Sequence, residues 1–149
     1  MKEIDGDLIK LSQDGHFEVM VHGCNCHCQM GAGIAKQVRE ECVEAYMVDR
    51  LTIPGDKSKL GTISYATIEP IGFVCVNAYS QYDYTHSKVD ADYDAIRSCF
   101  KAIKKTFSGQ RIGIPLIGAG LAGGNWDIIS AIINEELVDE DLTLVRFKQ

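Results

Sequence analysis

The sequence predicts an α/β fold in which helices cover a mostly parallel sheet. Strand-like and helix-like segments alternate along the chain, which is the pattern of that fold class. The length of 149 residues suits one domain that buries its core without disulfides or metals. Hydrophobic residues make up 46% of the chain and charged residues 24%, as in ordinary globular proteins. A single domain over residues 1–149 is therefore expected.

The first half of the chain contains three predicted strands and one predicted helix. Phe17–Val21 is rich in strand formers and leads into a turn-rich stretch, after which Gly33–Cys42 has a helical pattern. Gly61–Ile68 alternates in the manner of a strand, and residues 70–72 have the composition of a turn. Phe73–Ala78 is a short apolar run, which is typical of a buried strand.

The second half contains the clearest helix, Asp92–Phe107. Its apolar residues recur at the spacing of one buried helix face. Arg111–Leu116 and Leu142–Phe147 are predicted strands, and Trp126–Leu137 between them is a predicted helix whose Trp126 is expected to pack the preceding loop.

Charge and composition exclude several functions. The formal net charge of -6 argues against general nucleic-acid binding, which needs clustered Lys and Arg. No apolar run approaches the roughly 20 residues that span a bilayer, so no membrane partner is expected. The start Met1–Asp7 is too polar for a signal peptide, which predicts a cytoplasmic protein with six reduced cysteines.

Two glycine-rich loops carry the functional signal. The first glycine loop is Met30–Lys36 and the second is Ile117–Trp126; each follows a predicted strand and opens a helix. Glycine lets the backbone approach a ligand, and the N–H groups and dipole of a following helix favour an anion. In open α/β sheets, ligands bind beyond the C-terminal ends of the strands. The loops are therefore predicted to bind two linked phosphates from opposite sides. The alternative is that they are only tight turns.

The known phosphate-binding fingerprints do not fit these loops. The dinucleotide fingerprint needs a third glycine where Lys36 stands, and no Gly-Lys-Ser or Gly-Lys-Thr occurs in the chain. The sequence therefore predicts a diphosphate held without a Walker-type lysine.

The motifs resemble the macrodomain family. The similar segments are Gly6–Ile9, Asn25 at the end of a strand, Met30–Ala35, and Ile114–Leu121 followed by Trp126. The match extends from Asp5 to Phe147. The stretch from His22 to Ala35 is similar to the branch that contains the terminal ADP-ribose glutamate hydrolase and the ADP-ribose 1''-phosphate phosphatases. The resemblance implies a three-layer α/β/α sandwich with a mixed central sheet, a monomer, no cofactor, and ADP-ribose or a derivative of it as the ligand.

The resemblance also implies a set of ligand contacts. Asp7 would accept a hydrogen bond from the adenine amino group, Phe147 would pack against adenine, and Asn25 would lie near the distal ribose. Backbone N–H groups of both glycine loops would bind the diphosphate and the distal ribose. The implied ligand-binding residues are Asp7, Leu8, His22, Asn25, Met30, Gly31, Ala32, Gly33, Ile34, Ala35, Ile117, Gly118, Ala119, Gly120, Leu121 and Phe147.

One departure from the family bears on the reaction. The hydrolase of this branch uses a lysine and an aspartate, and the corresponding positions are read here as Ala78 and Ala122. Alanine cannot supply the amine that attacks the opened sugar. The resemblance therefore points to phosphatase activity on ADP-ribose 1''-phosphate. The alternatives are a hydrolase that removes ADP-ribose from modified macromolecules and a reader that binds without turnover.

The candidates for catalysis are His27, Asn25 and Asp90. An imidazole titrates near neutral pH, so His27 is the best general acid or base, with a surface loop histidine as the alternative. Asp83 and Asp90 could activate water, although Asp90 also suits a helix cap. The polar and aromatic stretch to which they belong is expected to form a lid over the distal ribose; its other members are Asn77, Tyr79, Gln81, Tyr82, Tyr84 and His86.

A dense run of sulfur and imidazole groups suggests zinc at first sight. It contains His22, Cys24, Cys26, His27 and Cys28. Structural zinc sites combine ligand pairs from two separated segments, and the chain has no second pair of this kind. The run is therefore interpreted as small residues at a strand end, and no metal is expected.

Overall fold

A computed structural model describes residues 1–85 and 88–147 of the chain. Within these residues it contains six strands, five α-helices and a 3-10 turn at Lys57–Lys59. The strands are β1 (Lys2–Asp5), β2 (Val19–Cys24), β3 (Ile63–Ile68), β4 (Phe73–Tyr79), β5 (Ile112–Ile114) and β6 (Leu142–Arg146). The helices are α1 (Leu8–Gln13), α2 (Gly33–Glu41), α3 (Val43–Arg50), α4 (Tyr93–Phe107) and α5 (Trp126–Glu136).

The strands form one mixed sheet in the order β1-β6-β5-β2-β4-β3. Every neighbouring pair is parallel except β3 and β4, which are antiparallel. A tight connection is enough for an antiparallel pair, whereas parallel strands need a longer crossover. The turn at residues 69–72 is therefore short, and the other strands are joined through helices. The mixed sheet agrees with the expected fold class.

Two apolar cores lie on opposite faces of the sheet. Alternate residues of β2 supply both, because successive strand side chains point to opposite faces. Val19 and Val21 pack with α4 and α5, whereas Met20 and Cys24 pack with α1, α2 and α3. This arrangement is the predicted three-layer α/β/α sandwich.

Helix α4 shows why the clearest prediction succeeded. Its apolar face is fully buried and consists of Ile96, Cys99, Phe100 and Ile103. The carboxylate of Asp92 accepts the N–H of Ala95 at 2.9 Å and caps the helix. A capped start and a periodic apolar stripe are the two local signals that fix a helix.

Several elements departed from the sequence prediction. Strands β1 and β2 and helices α1 and α3 were missed or placed inexactly. β1 is an edge strand whose four residues are all exposed, so it shows no apolar pattern. β2 continues past Val21 because its register pairs Cys24 with Tyr79 of β4. The helix expected over Gly33–Cys42 ends at Glu41, and α3 begins at Val43 with no loop between them.

None of the described helices is long and apolar enough to cross a membrane. All six cysteines lie in the described part of the chain, and their thiols are free and buried. The cytoplasmic location remains a prediction.

Candidate functional site

Two adjoining cavities form a cleft at the carboxyl end of the central strands. The inner cavity, of about 510 Å³, is bordered by Asn25 and by both glycine loops. The outer cavity, of about 710 Å³, is bordered by Asp7, Leu8 and Phe147. Both cavities share four lining residues, which are Gly33, Ile34, Pro115 and Leu116. The cleft is therefore one continuous site with two ends and a middle formed by these shared residues.

The first glycine loop presents the open end of helix α2 to this middle. Ala32 occupies the N-cap position in an extended conformation, and no side chain in the described chain caps the helix. The first N–H groups of a helix have no partner within it, and they carry its positive dipole. Gly33 has a φ of +59°, which favours glycine. This end of α2 can bind an anion.

The turn before that loop is held in place by hydrogen bonds from two side chains, one within the turn and one from a distant segment. The Asn25 carbonyl oxygen accepts the N–H of His27 at 2.9 Å, and the Asn25 amide donates to the carbonyl of Gln29 at 2.8 Å. The buried ammonium of Lys59 donates to the carbonyl of Cys26 at 3.1 Å. These bonds fix the turn before any ligand arrives.

The second glycine loop is held in shape by hydrogen bonds within its own backbone. The N–H groups of Ala119, Gly123 and Gly124 donate to carbonyls within the segment 116–120. The N–H groups of Gly118, Gly120 and Leu121 take no part in these bonds. A Cβ on Gly124 would lie 2.5 Å from the carbonyl oxygen of Gly118, so the fold of the loop requires glycine there.

The two glycine loops therefore differ at the start of the helix that follows each of them. Helix α5 begins with a closed end, because the side chain of Asn125 accepts the N–H of Asp127 at 2.9 Å. This cap satisfies one of the first N–H groups of the helix. Gly118, Gly120 and Leu121 of the second glycine loop line the inner cavity.

The two glycine loops meet across the mouth of the cleft. A Cβ placed on Gly33 would lie 3.4 Å from Cδ1 of Leu121, a distance of van der Waals contact. The Leu121 side chain is 53% exposed and belongs to the lining of the inner cavity.

Most candidate ligand-binding residues line the cleft. Those of the inner cavity are Asn25, Gly31, Ala32, Gly33, Ile34, Ala35, Ile117, Gly118, Gly120 and Leu121. Those of the outer cavity are Asp7, Leu8 and Phe147, together with Gly33 and Ile34 from the shared wall. The structure thus brings together residues that are separated by up to 140 positions in the sequence.

Three of the candidates do not line the cleft. His22 is fully buried, and its Nε2 lies 2.7 Å from the Oδ1 atom of Asn77. Burial lowers the pKa of His22 to about 4, so the ring is neutral near pH 7. Met30 is buried in the core beneath α1–α3, and Ala119 packs against the other core. Their positions fit a role in supporting the loops.

The catalytic candidates His27 and Asp90 lie beside the inner cavity. The Nε2 atom of His27 is 3.2 Å from Oδ1 of Asp83, and its ring meets the ring of Tyr84 edge-on, with centroids 5.8 Å apart. Tyr84 lines the inner cavity, so His27 contacts a residue of the cavity wall without being part of the lining. Asp90 is buried, and Thr85 donates to both of its carboxylate oxygens.

The reading of Asp90 as a helix cap is wrong, since Asp92 caps α4. The backbone N–H of Asp90 instead donates to the carbonyl of Ala122 at 2.9 Å. This bond ties the segment before α4 to the second glycine loop.

The expected lid divides into two parts. Gln81 and Tyr84 line the inner cavity. Asn77 and Tyr79 belong to β4, where both are buried and hydrogen-bonded to neighbouring side chains. His86 lies outside the described residues.

Sequence reasoning missed a buried polar network behind the first glycine loop. The Nζ atom of Lys59 lies 3.5 Å from the sulfur of Cys28 and 4.9 Å above the ring of Tyr79. The Tyr79 hydroxyl donates to a carboxylate oxygen of Asp49 at 2.8 Å, and burial raises the pKa of Asp49. These residues come from four separate segments, so no local pattern marked them.

The sulfur-rich run divides among different partners. Cys24 contacts the His22 ring, Cys26 faces the carbonyl of Gln81, and Cys28 faces the carbonyl of Asp49. Burial raises the pKa of Cys24 well above its usual range and that of Cys26 to about 11, so both stay protonated near pH 7. In the described chain, no group of three or more His, Cys, Asp or Glu side chains is arranged to hold a metal ion.

No protein-family model matches the chain. An uncharacterised 17.5 kDa protein from the tk–vs intergenic region of Enterobacteria phage T4 is 34% identical over 143 residues. That alignment covers 90% of this chain and 88% of the phage protein.

Solved structures resemble the chain over its whole length at low sequence identity. A protein from Bacteroides thetaiotaomicron gives a TM-score of 0.77 at 23% identity, covering 100% of this chain and 99% of that one. The macrodomain of Mycobacterium tuberculosis DarG gives a TM-score of 0.74 at 16% identity, covering 100% and 99%. Thermosipho africanus DarTG, solved in complex with ADP-ribose, gives a TM-score of 0.74 at 16% identity, covering 98% of this chain and 42% of its own.

Proposed function

The chain belongs to the family of the phage T4 17.5 kDa protein and has the macrodomain fold, and from these premises we propose that it binds ADP-ribose or a derivative. Among the solved structures of this fold, the Thermosipho protein was determined with ADP-ribose. We propose ADP-ribose as the ligand for the cleft of this chain as well.

The shape of the cleft is the observation that carries the proposal. Its inner and outer cavities meet at a wall made of Gly33, Ile34, Pro115 and Leu116. A ligand of matching form has two ends, one for each cavity, joined by a linker that passes this wall. ADP-ribose has this form, with adenosine and a terminal ribose joined by a diphosphate. The amides at the start of α2 lie where the linker would pass.

The outer cavity suits the adenosine end. Asp7 offers a carboxylate acceptor beside the apolar surface of Leu8, and the Phe147 side chain is 62% exposed at the rim. An adenine ring needs an apolar slot and a partner for its amino group. We assign adenine to this cavity and the distal ribose to the inner one, near Asn25.

Calorimetry with purified protein tests the binding proposal. We expect ADP-ribose to bind with a Kd in the micromolar range, and AMP and ribose 5-phosphate, which each fill one cavity, to bind at least tenfold more weakly. An absence of heat with ADP-ribose at millimolar concentration would remove the proposal.

We further propose that the protein hydrolyses ADP-ribose 1''-phosphate to ADP-ribose and inorganic phosphate. The supporting observation is the His27–Asp83 pair at 3.2 Å, placed behind Tyr84 and bonded through the His27 backbone to Asn25. In this reaction water attacks phosphorus, the bond to the 1'' oxygen breaks, and that oxygen receives a proton. Backbone amides would position the phosphate, and His27 would transfer the proton through water.

Phosphorus NMR of ADP-ribose 1''-phosphate measures this activity directly. Growth of the inorganic phosphate signal with retention of the diphosphate signals is expected, and His27→Ala should slow it about 100-fold. His16→Ala is the matched control, since His16 lies in the loop before β2. An equal rate in His27→Ala would exclude His27 from the mechanism.

Two alternative outcomes have distinct signatures. Tight ADP-ribose binding without turnover of any candidate would identify a reader. Release of ADP-ribose from modified macromolecules would identify a hydrolase, although Ala78 is buried and offers no amine. The phosphatase proposal would fail in the first case, and in the second case it would fail if ADP-ribose 1''-phosphate were not turned over; the binding proposal would stand in both.

A further inference from the structure

The hydroxyl of Ser80 is unusual among the buried polar groups. Of the buried side-chain nitrogen and oxygen atoms in the described residues, only Ser80 Oγ has no hydrogen-bond partner. The residue is 1% exposed, so bulk water does not reach the hydroxyl either. Buried polar groups in native proteins are nearly always paired, and a lone exception calls for a functional explanation.

The backbone of Ser80 is firmly held, so the missing partner does not reflect a loose segment. Its N–H donates to the carbonyl of Ala78 at 2.8 Å, and its carbonyl accepts the N–H of Asp92 at 3.0 Å. These bonds fix Ser80 directly after the end of β4.

The hydroxyl lies immediately behind the wall of the inner cavity. A Cβ on Gly23 would stand 2.7 Å from Ser80 Oγ and 3.2 Å from Cγ1 of Ile117. Gly23, Ile117 and the neighbouring Gln81 all line the inner cavity. Ser80 Oγ therefore lies next to residues of the cavity wall. A contact with a ligand requires the Ser80 side chain to rotate to another staggered position that points toward this wall.

We infer that Ser80 is a ligand-binding residue whose hydroxyl forms a hydrogen bond with the distal sugar of the bound nucleotide. This inference rests on the proposed binding of ADP-ribose. A sugar offers several hydroxyl oxygens, and a serine hydroxyl can both donate to and accept from them. The inner wall already carries the polar side chains of Asn25, Gln29, Gln81 and Tyr84, and the Ser80 hydroxyl would add one more side-chain contact at that end of the ligand.

Comparison of Ser80→Ala with the unchanged protein tests the inference by calorimetry on two ligands. ADP-ribose fills both ends of the cleft, whereas ADP lacks the distal sugar. We expect Ser80→Ala to raise the Kd for ADP-ribose about tenfold and to leave the Kd for ADP within twofold. The Tm should not fall, because the variant removes an unpaired buried hydroxyl.

Ser12→Ala is the matched control. Ser12 is equally buried, but its hydroxyl donates to the carbonyl of Leu8 at 2.8 Å in α1. Its variant should lower the Tm and leave both Kd values unchanged.

Three results would overturn the inference. One is an unchanged Kd for ADP-ribose in Ser80→Ala, and another is an equal loss for ADP-ribose and ADP, which would indicate a distorted cleft. A clear fall in the Tm of Ser80→Ala would show that the hydroxyl already has a structural partner. Failure of the unchanged protein to bind ADP-ribose would be a different result, because it would overturn the proposed function itself.

Discussion

Asp7 shows how one side chain can serve both the fold and a ligand. Its Oδ1 atom accepts the N–H of Lys10 at 3.1 Å and caps helix α1. A carboxylate has two oxygens and about four acceptor positions, so capping leaves Asp7 able to accept from a ligand in the outer cavity. The cap explains the acidic residue locally, and the cavity gives it a second use.

The two roles of Asp7 can be separated by substitution. Asparagine caps a helix as well as aspartate does, so Asp7→Asn should leave the Tm nearly unchanged. The loss of the charged acceptor should weaken ADP-ribose binding about tenfold. Asp7→Ala is the comparison variant, and its free energy of unfolding should also be lower by about 1 kcal/mol. Equal binding by Asp7→Asn in calorimetry would show that the carboxylate does not contact adenine.

At the scale of elements, helices α2 and α5 begin in opposite ways. α5 is closed by the side chain of Asn125, whereas the N-cap residue of α2 is Ala32, which has no capping group. An uncapped start lowers the stability of the protein without ligand. The same start leaves donors free for an anion. Stability and binding therefore compete at this one position.

Ala32→Asp tests this competition directly. Ala32 is exposed and extended, which suits an N-cap residue. An aspartate there should cap α2 and raise the free energy of unfolding by about 1 kcal/mol. Its negative charge should repel the diphosphate and abolish detectable binding. Ala32→Ser, which caps without charge, should raise the Tm and weaken binding less. Thermal melts and calorimetry measure both effects, and a bound ligand in Ala32→Asp would contradict the assignment of the diphosphate to α2.

The elements also show what sequence can predict. α4 and β4 were found because their signals are local: a periodic apolar stripe with a capping aspartate, and a continuous apolar run. The cap of α5 and the bare start of α2 follow from side-chain hydrogen bonds that no periodicity reports. Both glycine loops lie at the cleft, but only the folded chain shows that one leads into an uncapped helix and the other into a capped one.

At the scale of the whole molecule, long-range contacts decide what sequence leaves open. The network around Lys59 joins segments more than 20 residues apart. The Ser80 hydroxyl, which follows β4, lies beside Gly23 of β2. Such contacts depend on sheet order, which the alternation of elements does not specify. His22 was assigned to the ligand by position in a motif, whereas strand alternation directs it into the core.

The buried histidine makes global stability depend on pH. The pKa of His22 is about 4 in the folded protein and near 6.5 when unfolded, so protonation favours unfolding. The neutral His22 contributes fully to the free energy of unfolding above pH 6.5. This contribution, about 3 kcal/mol at most, is lost as the pH falls from 6.5 to 4. His22→Gln keeps a donor toward Asn77 without titrating. Its Tm should fall less steeply over this interval, and parallel Tm curves would exclude His22 as the source.

The inner cavity has a consequence for the speed of ligand capture. Its described lining contains no Lys, Arg or His, and the chain carries a formal net charge of -6. The net charge therefore repels an approaching anionic ligand at long range, and inside the inner cavity the ligand meets backbone dipoles, whereas the outer cavity has Arg146 in its lining. Dissolved salt screens the repulsion over a Debye length of about 10 Å at 0.1 M and weakens short dipole contacts far less. Association should quicken as ionic strength rises, the reverse of the behaviour of phosphate sites built from lysine and arginine.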